Sequence, residues 1–474
     1  MKTLVLIGLG LLASSLACAQ TSQKTESVVE SIAQTPEKVV IAASDADADT
    51  GLSMSMSFED WVEAFEKKFQ ANIGQSKAGR LFFAGKASVR VGPMDPNYGK
   101  ELPLAYERAI FDMQSEFVLQ TFGKLQVSKR LELLNDSSTN KDQFPPLEIQ
   151  KAQQEGRLGT VFEKALTLMG KKLDAELVKQ GVSQTAVSKM SIEQKKSTYK
   201  DNFTKEILRT AVRSMNGLVP VQTRIFTEQT PNGKNYVVGI IAVQSEKTRQ
   251  FAKDMTLKRP TQVRGEAVDI AALLPEKKSE YLNELGLRYT YDEKGRPMLL
   301  SYGRWSVNVM PDWAPSRIGR EKQNAYESAR ANAEATIVEF MNTNIEVSDQ
   351  RISGSLVEEI AKKVTHFEDG NKKGYDKMQD QVSETIDKVL KSAKADASGD
   401  LRGTSSVKRW EEVDQNGVLH IGAVVTWSYD QLENANAIEQ SNSPRNSSGA
   451  SGATDGSAKD ESRSSRIINR KKDF

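Results

Sequence analysis

The first sustained hydrophobic period in the chain predicts an amphipathic helix that begins at Ser57. A serine at this position can accept a hydrogen bond from the first free amides of a helix. The apolar residues that follow recur at helical spacing and form one face: Phe58, Trp61, Val62, Phe65 and Phe69. Residues 20–52 before it are rich in Ser, Gln, Ala and Asp without a sustained period, which predicts a flexible leader.

Beyond this helix, the chain repeats one pattern of strand and helix. Residues 85–91 and 303–309 both alternate between apolar and polar positions, and a loop that contains proline follows each of them. The helices predicted next open with Ala105-Tyr-Glu-Arg-Ala109 and Ala325-Tyr-Glu-Ser-Ala329. Their apolar stripes occupy matching positions, and both helices are predicted to end at a Val-Ser pair, Val127-Ser128 and Val347-Ser348.

A hairpin pattern also occurs twice, later in each repeat. Asn232-Gly233 and Asn416-Gly417 each stand between two apolar runs. Asn-Gly in this setting is a strong hairpin signal, because both turn residues tolerate positive φ. The predicted strands are 219–227 with 236–243 and 405–413 with 420–427. Helical segments are predicted between the strand–helix and hairpin parts, over 161–178 and 192–212 in the first repeat and 356–364 and 378–390 in the second.

These elements predict an α+β fold of two repeated units. In each unit a small antiparallel sheet packs with a helix, with helical insertions, and a disordered Ser/Asn/Gly-rich tail ends the chain. The predicted organisation is a signal peptide at 1–19, the leader at 20–52, a first unit with its N-terminal helix at 53–257, a connector with a short helix and the start of a hairpin at 258–297, a second unit at 298–436 and the basic tail at 437–474.

The amino-terminal residues predict export from the cytoplasm. Lys2 supplies a positive charge, residues 4–12 are apolar, and Ala17-Cys18-Ala19 fits the small-x-small cleavage rule, so cleavage is predicted after Ala19. The alternative is a lipoprotein in which Cys18 is acylated, although Ser15 stands where such signals usually carry Leu. We expect a periplasmic or secreted protein, and no later apolar run reaches the roughly 20 residues of a membrane span.

The repeated pattern resembles the periplasmic domain family typified by outer-membrane lipoprotein 20 and the N-terminal domain of flagellar assembly protein T. The resemblance rests on helix alanines, on glycines before the hairpins and on an aromatic in the second hairpin: Ala105, Ala109, Ala325, Ala329, Ala333, Gly217, Gly403 and Trp410. It implies two tandem copies of the domain, covering about residues 80–255 and 298–432. It also implies an envelope protein with an accessory or assembly role and no catalytic residues.

Composition and motifs give little support to enzymatic chemistry. The 474 residues include 65 Lys+Arg and 63 Asp+Glu, so a net charge of +2 excludes a strong electrostatic case for nucleic acid or acidic membranes. The run Asp45–Asp49 lacks the later residues of a calcium loop, and Gly79–Lys86 departs from the phosphate-loop spacing and reads as the start of a strand. His366 and His420 are the only histidines, and His420 is predicted to be a partly exposed strand residue. We therefore expect no enzyme activity, metal or cofactor.

The tryptophans of the second unit are the candidate binding residues. Trp305, Trp313 and Trp410 fall within it, where tryptophan side chains form either a core or a surface that stacks on sugar rings. The first hypothesis is a non-enzymatic adaptor that binds another envelope protein. The alternatives are a peptidoglycan- or glycan-binding module that uses these aromatics, and a hydrolase whose carboxylates the motifs do not reveal.

Overall fold

Two four-stranded antiparallel sheets of the same topology form the centre of the protein. The first sheet has the order β1-β2-β4-β3, and the second has the order β5-β6-β8-β7. The strands are β1 (Ser76–Lys77), β2 (Arg80–Val89), β3 (Val219–Thr230), β4 (Gly233–Gln244), β5 (Gly286–Tyr291), β6 (Pro297–Val307), β7 (Thr404–Val413) and β8 (Leu419–Trp427). The predicted α+β class with two sheet units is confirmed.

Helices precede, connect and cover these sheets. They are α1 (Phe58–Phe69), α2 (Tyr98–Asn135), α3 (Pro146–Gln154), α4 (Leu158–Leu168), α5 (Lys171–Lys179), α6 (Gln184–Lys189), α7 (Ile192–Arg213), α8 (Glu246–Thr256), α9 (Ile270–Leu273), a 3-10 helix (Lys278–Asn283), α10 (Pro315–Ser348) and α11 (Tyr429–Asn442). In the part of the chain described by the structure, no helix has the length and apolar character that crossing a membrane requires.

This computed structural model describes residues 57–135, 145–155, 157–231, 233–348, 384 and 402–442. Several predicted features lie outside these ranges: the signal peptide with its cleavage at Ala19, the leader, the Asp45–Asp49 run, His366 and nearly all of the insertion in the second unit. Of the tail predicted from residue 437, the first part continues helix α11 to Asn442, and the rest lies outside the described residues.

The two units repeat each other down to individual contacts between helix and strand. Gly85 of β2 lies against the backbone of α2, where an added Cβ would be 2.5 Å from the carbonyl oxygen of Ala109. Gly303 of β6 lies against α10 in the same way, with 1.9 Å to the carbonyl oxygen of Ala329. A register shift also interrupts β3 between Pro220 and Gln222 and β7 between Ser406 and Lys408. These shared contacts explain why small residues recur in both repeats.

Helix α1 begins where the sequence predicts. The Ser57 side chain accepts from the Asp60 backbone N–H, and the Asp60 carboxylate accepts from the Ser57 N–H, a capping box. The apolar face then packs on the side of the first sheet opposite α2, where the Trp61 ring lies 5.3 Å from the Phe226 ring and the Phe65 ring 5.3 Å from Phe82. Both faces of the first sheet are thereby covered.

The two units share one hydrophobic core. Phe251 of α8, which directly follows the first sheet, packs against Tyr289, Phe340 and Trp427 of the second unit. On another side, the Leu287 backbone N–H donates to the buried hydroxyl of Tyr106 over 2.9 Å. A buried hydrogen bond and a continuous aromatic core fix the two units relative to each other.

Three local predictions differ from the structure. Helix α2 continues past Val127-Ser128 to Asn135, and the single helical run predicted over 161–178 is broken at Gly170, which has φ of 50°. His420 is buried, as described below. The hairpin whose start the sequence predicts within 258–297 is present, because β5 (Gly286–Tyr291) pairs with β6. The strand predicted to start within Gly79–Lys86 is present as β2.

Candidate binding surface

Two equivalent loops meet at one end of the molecule. The loop after β2 leads into α2, and the loop after β6 leads into α10. The end of β6 contacts the first of these loops, where the Ser306 hydroxyl donates to the carbonyl oxygen of Pro96 over 2.7 Å. The Lys100 ammonium, one helical turn further along, lies 5.6 Å from the centre of the Trp305 ring. This end of the structure therefore contains residues from both units.

Three partly exposed aromatic side chains line this end. Trp305, Trp313 and Tyr326 all pack against one small buried cluster, made of Val307, Ala325 and Ile421. Trp305 is on β6, Trp313 is in the loop that follows, and Tyr326 is on α10. Their shared support fixes the rings while leaving each of them in part accessible.

A basic side chain lies over each of the three rings. Lys100 covers Trp305, the Arg317 guanidinium lies 4.2 Å from the Trp313 ring centre, and that of Arg409 lies 4.5 Å from the Tyr326 ring centre. Cations at these distances are attracted to the ring faces. We call the set of Trp305, Trp313, Tyr326, Lys100, Arg317 and Arg409 the aromatic–cation surface.

Exposed apolar residues lie close in sequence to the residues of this surface, in both loops and in α2. Met94, two residues before Pro96, is 84% exposed, and Leu104, one turn after Lys100, is 49% exposed. Val309 and Met310 follow β6, and Met310 is 44% exposed. We call these four residues the apolar flank. Neighbouring exposed apolar residues with a polar rim are typical of protein interaction sites.

A buried polar cluster lies against the face of the second sheet opposite Trp305. It consists of Arg304, His420 and Tyr98. Arg304 is fully buried, and its Nη2 donates to the carbonyl oxygens of Tyr281 over 2.8 Å and Glu284 over 3.2 Å. Burial lowers the pKa of Arg304 to about 10, so the guanidinium stays charged at neutral pH. Burial also raises the pKa of the neighbouring Tyr98 hydroxyl to about 12.

His420 belongs to this buried cluster, so the prediction of a partly exposed strand residue is wrong. Its side chain is 1% exposed, because α2 of the first unit covers this face of the sheet. Burial and the charge of Arg304 lower the pKa of His420 to about 4, which keeps the ring neutral. Its Nε2 lies 3.1 Å from Oδ2 of Asp414, a distance that fits a donated hydrogen bond.

The buried cluster positions the first turn of α2, and with it Lys100. Gly99 fits so closely that an added Cβ would lie 2.7 Å from the Cβ of Ser306 and 2.8 Å from Nδ1 of His420. No larger residue fits there without moving α2 or β6. The cluster thus acts as a support for the exposed surface on the other side of β6.

The structure brings together two of the three tryptophans that the sequence singles out. Trp305 and Trp313 belong to the aromatic–cation surface, whereas Trp410 is buried. The Trp410 ring stacks on Tyr281 with 5.5 Å between ring centres and fills the space over Gly422. Sequence reasoning missed the three cations and Tyr326, although Tyr326 matches Tyr106 in the repeat and was therefore visible as a repeated position.

The described residues contain no group of three or more His, Cys, Asp or Glu side chains with the geometry of a metal site. Asp414 and His420 form a pair without a third ligand. Burial alone would raise the pKa of Asp414, but hydrogen bonds from the Val418 N–H, the His420 ring and the Asn416 N–H outweigh burial and lower it. This pair is explained by hydrogen bonding within the turn after β7.

One segment of the chain matches a known family model. Residues 158–257 match a family described as a domain of unknown function, DUF6844. That segment runs from α4 through the β3–β4 hairpin to the end of α8. No curated protein matches the chain.

Among solved structures, the chain is similar to the hypothetical protein FTT1539c from Francisella tularensis, known from a 2.3 Å crystal structure. The two sequences are 18% identical, the TM-score is 0.48, and the similarity covers 83% of this chain and 93% of the other. Neither match concerns the lipoprotein 20 family, so that resemblance stays a prediction.

Proposed function

We propose that this chain is a non-catalytic protein of the cell envelope that binds another envelope protein through the aromatic–cation surface. The observation that carries the proposal is the set of three supported, partly exposed rings, each with a cation, beside the apolar flank. Trp, Tyr and Arg are the residues that most often dominate the binding energy of protein interfaces. The predicted signal sequence and the resemblance to envelope domains support the location.

The arrangement of the cations favours a protein partner over a glycan. A sugar stacks on an aromatic ring through one open ring face. Here a cation lies over a face of each ring: Lys100, Arg317 or Arg409. The hydrophobic cluster of Val307, Ala325 and Ile421 supports the same rings from within the fold. A glycan would have to displace these cations, whereas a protein partner can engage both the cations and the ring edges.

The shared core of the two units suits an adaptor role. Phe251 and the Tyr106–Leu287 hydrogen bond hold the units in one arrangement, so residues of both units reach a partner already ordered. A surface ordered before binding avoids much of the entropy cost of association. The first unit contributes Lys100 and Leu104, and the second unit contributes the rings.

Affinity capture from envelope extracts tests the proposal. We expect the full chain to retain one or a few envelope proteins in stoichiometric amounts, and the double variant Trp313→Ala, Arg317→Gln to lose them. Truncating a central Trp or Arg typically costs about 2 kcal/mol or more, a reduction in affinity of about thirtyfold. The matched control is Ile192→Ala, because Ile192 is 66% exposed and lies on α7, outside the surface.

Sedimentation with purified sacculi distinguishes the two classes of partner. Sedimentation of the full chain that the double variant loses would favour the glycan-binding alternative. Equal capture of the same proteins by the full chain and the double variant would rule out this surface as the binding site.

A further inference from the structure

We propose that the first turns of α10 and the adjoining part of β7 bind a further α+β unit of the same topology, carried by a partner protein. This proposal rests on the proposed function and names the class of partner for its surface. The residues that the structure describes form two such units, and the first docks on the second. The second unit repeats the docking elements of the first but has no further described unit to dock on.

Helix α2 carries the stripe of residues through which the first unit docks. Gly99 lies so close to β6 that an added Cβ would be 2.7 Å from the Cβ of Ser306. Two turns later, the ring of Tyr106 covers Gly286, and the Tyr106 hydroxyl accepts from the Leu287 N–H over 2.9 Å. The start of α2 is therefore buried against the second sheet, on the face opposite α10 and along β5.

The outer strand of the first sheet completes this contact. The Arg288 guanidinium of β5 donates to the hydroxyl of Thr223 in β3 over 2.8 Å. In the second sheet, β7 is the outer strand that corresponds to β3. Arg409 of β7 has the register position of Thr223, because each lies across the central strand from the glycine that packs on the helix. The edge that meets β5 is therefore repeated in the second unit.

Helix α10 leaves exposed the stripe that α2 buries. Gly99-Lys-Glu and Gly319-Arg-Glu each begin six residues before the repeated Ala-Tyr pair, so Gly319 matches Gly99. Gly99 is buried, whereas a Cβ added at Gly319 would meet no atom within 4 Å. None of the residues 315–324 is buried, and Tyr326 is only half-buried although its match Tyr106 is 2% exposed. The second unit thus presents a docking stripe without an occupant among the described residues.

A second copy of this chain offers no open sheet to receive α10. Its second sheet already holds α2. In its first sheet, Val237 has the register position of His420 and is 2% exposed, in one cluster with Trp61 of α1. The first strand is also shorter there, because β1 has two residues whereas β5 has six. In the described part of the chain, α1 therefore caps one end of a repeated array and α10 leaves the other end open.

Shape and one changed side chain select the partner, because the charges at this end are of both signs. Arg317, Arg320 and Arg409 lie in the same elements or loops as Asp312 and Glu321, and Asp95 lies in the neighbouring loop. The close backbone approach at Gly319 requires a partner surface as flat as a sheet face.

The changed side chain is at the outer strand. The acceptor Thr223 of the first unit is replaced in the second unit by the donor Arg409. The partner should therefore present a carboxylate or carbonyl oxygen where the second unit presents Arg288.

Capture from envelope extracts by glycine variants of the full chain tests the close approach. Gly319→Leu fills the proposed contact, whereas Gly123→Leu adds the same side chain to an exposed glycine of α2 that also has no atom within 4 Å. Both variants should fold as the natural chain does, as circular dichroism would show. We expect Gly319→Leu to weaken capture of the partner about tenfold or more, and Gly123→Leu to leave it unchanged.

Photo-crosslinking in living cells identifies the occupant. A photoreactive amino acid replaces Arg320, which matches Lys100 beside Trp305, or Asn324, which matches Leu104. Leu104 stays 49% exposed beside the second unit, so position 324 is the control. We expect an adduct only at position 320, and we expect the linked peptide to lie in a four-stranded antiparallel sheet of the order 1-2-4-3 in the partner.

Two kinds of result would overturn the proposal. One is an adduct with a second copy of this chain or with a protein that lacks such a sheet. The other is undiminished capture by Gly319→Leu; if the Trp313→Ala, Arg317→Gln variant still loses the partner, the proposed function stands without this proposal. Undiminished capture by both variants would refute the proposed function as well.

Discussion

Replacing Gly303 by Ala should destabilise the protein more than the equivalent change at Gly85 in the first unit. The added Cβ would lie 1.9 Å from the carbonyl oxygen of Ala329 and 2.7 Å from the backbone N of Ala333. Real Cβ atoms do not approach closer than 3.0 Å, so α10 would have to retreat from β6 by about 1 Å. Because the obstacle is helix backbone, no rotamer change relieves it.

The equivalent change in the first unit provides an internal comparison. In Gly85→Ala the added Cβ would lie 2.5 Å from both Ala109 O and Met113 N, a smaller overlap that about 0.5 Å of movement relieves. Overpacking a core typically costs about 1–3 kcal/mol, so we expect about 3 kcal/mol for Gly303→Ala and about 1–2 kcal/mol for Gly85→Ala. Gly319→Ala, in α10 with open space around it, should stabilise by about 0.5–1 kcal/mol.

Urea denaturation followed by circular dichroism and tryptophan fluorescence measures these three free energies of unfolding. The expected order of stability is Gly319→Ala above the natural chain, then Gly85→Ala, then Gly303→Ala, with similar m-values throughout. If Gly303→Ala is as stable as Gly319→Ala, the contact between strand and helix that defines both repeats is not as described.

Two further predictions concern the contacts between the units. Unfolded histidine has a pKa of 6.5 and His420 in the fold about 4, so the unfolded chain takes up a proton first as the pH falls. The stability from neutral His420 is complete above pH 6.5 and decreases towards pH 4 by about 3 kcal/mol; urea midpoints should show this slope, and His420→Gln should lack it. Tyr106→Phe leaves the buried Leu287 N–H without its acceptor and should cost about 1–2 kcal/mol, whereas Tyr326→Phe, whose hydroxyl contacts Ser406 at the surface, should change the midpoint little.

Much of the fold could be predicted because its signals are local. The Asn-Gly turns, the Ser57 cap and the alternation around Gly85 and Gly303 each depend on residues close together in sequence. The end of α2 was mispredicted because no Gly or Pro follows Ser128 before Asn135. Leu131 and Leu134 then pack against the cluster formed with α3 and α4 and extend the helix.

The site was less predictable because its contacts join distant parts of the chain. Trp305 looked the same in sequence as Trp410, yet one is half-buried beside Lys100 and the other is enclosed by Tyr281 and Gly422. His420 looked exposed because alternation on a hairpin suggests one solvated face. Helix α2, more than three hundred residues earlier in the chain, covers that face.

Photo-crosslinking in living cells tests the central claim most directly. A photoreactive amino acid replaces Val309, in the apolar flank, in one strain and Ile192 in a control strain. If the aromatic–cation surface binds an envelope protein, we expect a covalent adduct with that protein at position 309 and none at position 192. The adduct should be lost when Trp313→Ala and Arg317→Gln are added. Adducts of the same protein at both positions, or none at 309, would contradict it.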